Sequence, residues 1–143
     1  MPIAIDKLPV VGVAHTPTRG SPHATLRPMR PQNLPTATLE ATRAFAVRIA
    51  RAYATQSIIL FGSRARGTAD AESDADVAVV LKGAPGHFVH TKMAMNDIAY
   101  DILLATGIRI QPLPVWETEW AHPENYSNPH LLHNIARDGI ALT

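Results

Sequence analysis

Two aspartates separated by one residue, Asp74 and Asp76, stand just before the apolar run Val77–Leu81. Along a strand, side chains two apart share a face, so both carboxylates project the same way from the strand's first residues. Charge beside a core is costly unless compensated, and for paired carboxylates the natural compensation is a cation. A hard divalent ion such as Mg²⁺ suits these oxygens and keeps part of its shell for phosphate. Upstream, the apolar stretch Ile58–Phe61 ends at Gly62-Ser63, followed by Arg64, Ala65, Arg66 and Gly67. Glycine lets backbone approach an anion, and the N–H groups of a starting helical turn favour phosphate. Ser63 adds a hydroxyl; Arg64 and Arg66 add charge. One strand end offers an anion cradle and the next a metal clamp, which together describe a nucleoside triphosphate bound through Mg²⁺.

The elements that must position these groups follow from hydrophobic spacing. Leu39, Thr42, Phe45, Ala46, Ile49 and Tyr53 fall on one side at helical period, which predicts a helix from Thr36. Residues 57–61 and 74–81 read as strands, the second alternating Asp74, Asp76, Ala78, Val80 against Ala75, Val77, Val79, Leu81. A second helix covers Phe88–Thr106 and ends at Gly107. Residues 108–116 read as a third strand, confined to an edge by Pro112 and Pro114. Asn128 caps a last helix, with Pro129 at its first position and Gly139 as its stop. The order α-β-β-α-β-α predicts an α/β (α+β) domain, a small mixed β-sheet with helices packed mainly on one face.

Residues 1–35 hold seven of the 12 prolines, with Lys7, Arg19, Arg27 and Arg30 against Asp6. They read as a Pro-rich arm preceding a domain over 36–143. The 143-residue chain carries 13 Lys+Arg and 12 Asp+Glu, a net charge of +1, so it projects no strong field towards nucleic acid or membrane. With no cysteine it has neither disulfides nor thiolate metal sites, in keeping with a reducing, cytoplasmic setting. No apolar run nears the roughly 20 residues that span a bilayer. Pro9 interrupts the first apolar stretch and no basic leader precedes it, so no signal peptide is expected. His87/His90 and His130/His133 are each three apart, but without Cys or a Glu at zincin spacing they do not read as a zinc site.

The glycine-rich turn is not a Walker loop, since no Lys-Ser/Thr follows it. Gly62-Ser63, ten intervening residues and Asp74-Ala75-Asp76 instead resemble the signature of the DNA polymerase β-like nucleotidyltransferase superfamily. The extended stretch "GSRARGTADAESDADVAVVL" is similar to the minimal nucleotidyltransferases of prokaryotes, and the element order fits from Thr36 onwards. The resemblance implies the nucleotidyltransferase fold and in-line attack of a hydroxyl on the α-phosphorus of ATP. Asp74 and Asp76 would be catalytic and hold Mg²⁺, two ions in all. Gly62, Ser63, Arg64 and Arg66 would bind the nucleotide.

Family members that catalyse well bring a third carboxylate from a later strand. Here that strand reads Arg109, Gln111 and Leu113, with no acid. Asp97 and Asp101 on the second helix, and Glu117 and Glu119 after the strand, are the other carboxylates to consider. The core nearly exhausts the chain, so the acceptor must dock whole. The resemblance therefore implies a protein acceptor, a HEPN-domain ribonuclease toxin, neutralised by AMP transfer. The alternatives are an antitoxin that acts by complex formation alone, and an enzyme modifying an aminoglycoside-type hydroxyl, for which Asp70 and Glu72 are the only surplus acids nearby. The Pro-rich arm and the edge strand leave a homo-oligomer open.

Overall fold

The computed structural model of the chain describes residues 34–69 and 73–142. Helix α1, Thr36–Ala52, buries Thr38, Ala41, Thr42, Phe45, Ala46 and Ile49, one stripe at three- and four-residue spacing. Strand β1, Thr55–Phe61, leads to a four-residue helix α2, Ser63–Arg66. Strand β2 is Ala75–Leu81 and helix α3 is Phe88–Thr106, which ends at Gly107 with φ 81°. Strand β3 is Ile110–Trp116, followed at once by helix α4, Glu117–Ala121. A 3₁₀ turn at Pro123–Asn125 precedes helix α5, Pro129–Asp138, whose Asn128 cap accepts from the Leu131 N–H at 3.3 Å. Strand β4, Ile140–Ala141, closes the chain.

The strands form one sheet in the order β3-β2-β1-β4. β1 runs antiparallel to β2 and β4, while β3 is parallel to β2, with α3 as the crossover. Ile58, Leu60, Ala75, Val77, Val79 and Leu81 face α1 and α3. Ile59, Ala78, Val80 and Val115 face the other way, against Trp120 and Ala121 of α4 and Leu132, Ile135 and Ala136 of α5. β2 is therefore covered on both sides, which is why 77–81 is continuously apolar. Truncating Phe45, fully buried beneath α1, costs about 3–5 kcal/mol, a large share of a small domain's stability.

The two long helices share a face as expected, and the opposite face is covered by α5 instead of standing open. α4, the 3₁₀ turn and β4 are additions to the expected order; none is long enough to show a period. Trp116 and Trp120 pack into the two different clusters on opposite faces of the sheet. Of the expected Pro-rich arm, residues 1–33 lie outside the described residues, and Leu34 is buried in the core.

β3 lies at the edge of the sheet, as its prolines require. The nitrogens of Pro112 and Pro114 share one side of the strand, and the Pro112 carbonyl there accepts from Lys92 Nζ of α3 at 2.7 Å. Among the described residues no helix is long and apolar enough to cross a membrane.

Candidate active site

Register brings the candidate residues together. In the β1–β2 ladder Phe61 lies opposite Asp76, so Gly62 emerges beside that carboxylate. In the β2–β3 ladder Gln111 lies opposite Asp76, and the Ala75 N–H donates to the Arg109 carbonyl at 2.9 Å. Asp74 and Asp76 thus sit at one end of the sheet, between the 62–66 turn and the start of β3.

Gly62 has φ 77° and ψ −157°, a conformation that L side chains rarely adopt. A β-carbon there would also strike Asp76 Oδ2, so the glycine is required twice, by its backbone and by its neighbour. Arg64 donates from Nε to the Ser73 carbonyl and from Nη1 to Thr38 Oγ1, both at 2.8 Å. These bonds tie the residue preceding Asp74 to the first turn of α1. Arg66 is the exposed arginine of the turn, and its charge acts on Asp76. Ser63 is half-buried at the start of α2.

The two carboxylates differ in surroundings. Asp74 Oδ2 accepts from Gln111 Nε2 at 3.2 Å, and Asp74 Oδ1 lies 3.8 Å from Arg109 Nε. Asp76 is half-buried; burial pushes its carboxyl above the usual range and the Asp74 charge pushes the same way, while Arg66 and Lys92 pull it back. Lys92 is a participant that sequence reasoning missed. Burial draws its ammonium below the ordinary lysine value, against the pull of Asp76. Its only advance signal was a basic residue early in a helix feeding the adjacent strand.

The other acids do not join the site. Trp116 lies opposite Leu81 at the far end of β3, and there the Trp116 N–H donates to Glu119 Oε1 at 3.0 Å and the Gly83 N–H to Glu117 Oε2. Asp97 is exposed, and Asp101 pairs with Arg48 at 2.9 Å across α1 and α3. His87, His90, His130 and His133 are exposed. Asp70 and Glu72 lie outside the described residues. Among the described residues no group of three His, Cys, Asp or Glu could hold a metal. Two neighbouring carboxylates, one of them raised by burial and by the charge of the other, nevertheless fit a divalent cation that would relieve both. A groove of about 250 Å³ lies against Arg109 and Gln111, lined also by Asn96, Tyr100 and Leu103 of α3; neither aspartate lines it.

A sequence model described as "Nucleotidyltransferase domain" matches residues 44–123, more than half of the chain and the whole of the site. A curated relative in Methanocaldococcus jannaschii, described as "Putative protein adenylyltransferase MJ1305", is 42% identical over 59 residues, 41% of this chain. The match spans 40% of that relative's length. A crystal structure described as that of a "putative nucleotidyltransferase" from Sulfolobus solfataricus aligns with 76% of this chain and 88% of its own, at 18% identity and a TM-score of 0.46.

Proposed function

Because the chain belongs to the nucleotidyltransferase domain family, we propose that it transfers AMP from ATP to a hydroxyl of a protein acceptor. The observation that carries this reading is the placement of Asp74 and Asp76 on one strand face directly beside Gly62. The acceptor oxygen attacks the α-phosphorus, the bond to the bridging oxygen breaks, and pyrophosphate leaves. Asp74 and Asp76 hold Mg²⁺, which when bound neutralises the phosphates and polarises the α-phosphoryl group. Gly62, Ser63 and the following backbone receive the terminal phosphates. Arg66 offsets their charge, while Arg64 holds the loop in register for Asp74. The acceptor enters from the β3 side, where the groove meets Arg109 and Gln111.

The name given to the archaeal relative favours a protein over a small molecule as acceptor. The partner proposed is a HEPN-domain toxin silenced by adenylylation, in the cytoplasm, where ATP is abundant and a chain without cysteine is at home. A second reading, an antitoxin acting by complex formation alone, is favoured by one observation: β3 brings Arg109 and Gln111, not an acid, to the carboxylate pair. The two separate in one assay. With radiolabelled ATP, Mg²⁺ and the product of the neighbouring gene, the first requires label on that product and its loss in Asp76→Ala. Inhibition of the partner without label would replace the first reading by the second.

A further inference from the structure

Two hard cations bridged by carboxylates are the usual means of stabilising both the attacking and the leaving oxygen in phosphoryl chemistry. The pair here is built unevenly for that task. Both oxygens of Asp74 face donors from β3: the Gln111 amide at 3.2 Å and the Arg109 guanidinium at 3.8 Å. The guanidinium cannot ligate a metal and stays charged at every accessible pH, and the amide meets Asp74 through its N–H donor. The Arg109 carbonyl accepts the Ala75 N–H, which sets the main chain of Arg109 in register with Asp74. On the other side, Asp76 meets glycine backbone at Gly62, and the charges of Arg66 and Lys92 act on it without taking its place against Gly62.

We propose that the site takes one divalent ion, on the Gly62 side of the pair, and that Arg109 stands as a fixed cation where a second ion would otherwise bind. This rests on the nucleotide-binding reading above and adds its metal count. A guanidinium repels a cation placed against the same Asp74 oxygen, while on the Gly62 side Asp76 Oδ2 faces backbone. The side chain of Arg109 keeps 59% of its surface exposed, so it faces the groove as well as the carboxylate. It is therefore placed to meet the incoming hydroxyl or its phosphate partner directly, as a charged hydrogen-bond donor and not as a metal-bound base.

Equilibrium dialysis of the full chain against Mn²⁺ and α,β-methylene-ATP, counting excess metal and nucleotide in the protein chamber, reads the stoichiometry without turnover. The wild type is expected to hold one Mn²⁺ per bound nucleotide. Arg109→Glu, which replaces the cation by a ligand, is expected to hold two; Arg109→Asp serves the same purpose should the first variant fail to fold. Two ions per nucleotide in the wild type would overturn the inference while leaving the transferase reading intact. One ion in both folded variants would also overturn it. A wild type that binds neither metal nor nucleotide would sink both.

Discussion

At its two ends the β2–β3 pair places carboxylates in opposite circumstances. At the far end Glu117 and Glu119 accept main-chain N–H groups from Gly83 and Trp116, and so fasten the loop after β2 and the start of α4. At the near end Asp74 accepts a side-chain amide from Gln111, and Asp76 is half-buried with the Asp74 charge acting on it. A carboxylate that satisfies backbone is consumed by the fold. A pair of like charges held close is the arrangement that a bound cation would relieve. The composition "WETEW" looked as rich in acid as "SDAD", and only the partners separate them.

The largest expected effect tests the near end. Asp76→Asn should reduce AMP transfer by more than about 100-fold, exceeding the loss typical of a residue that merely supports a metal ligand. The same variant should not weaken the metal-free fold. The Asp76 carboxyl titrates above its unfolded value of 3.8, so its stabilising contribution is complete below that value and is lost as pH rises through the folded one. The Tm advantage of Asp76→Asn over wild type should accordingly grow from acid to neutral pH in EDTA, and shrink when Mg²⁺ is restored. A pH-independent advantage would mean that neither the burial of Asp76 nor the Asp74 charge raises its carboxyl.

Gly62→Ala comes next. Forcing a side chain into that backbone conformation, against Asp76, should cost about 1–3 kcal/mol in urea unfolding and depress nucleotide binding with it. At the far end the pattern should invert. Glu119→Ala should cost about 1 kcal/mol through the lost bond to the Trp116 N–H, with nucleotide affinity unchanged; a loss of affinity there would erase the contrast between the two ends. Smallest of all, Arg48→Ala removes an exposed ion pair to Asp101 and should change stability by no more than about 0.5 kcal/mol, with transfer unaltered.

Much of this was legible in the residues alone. The long helices show their period over four or more turns, and Asp74 and Asp76 announce themselves by alternation within their own strand. Gly62 could be read as a close approach, though not which atom approaches; that required the β1–β2 register. What stayed hidden depends on contacts between distant segments. Lys92 reaches the site only because α3 folds back along β3, and Arg109 meets Asp74 only because those strands run parallel. Arg64 and Arg66 are equivalent by type, yet Thr38 and Ser73 claim the first. β4 is two residues long and exists because β1 offers it an edge.

The free side of β3 has a consequence for how the molecule meets others. Pro112 and Pro114 offer no N–H there, and the first has its carbonyl held by Lys92. An extended segment sliding alongside would find no ladder to extend, so fusion of two sheets through this margin is denied to the protein. Whatever visits the neighbouring groove must be recognised by its side chains, leaving the approach to Asp74 clear of adventitious strands.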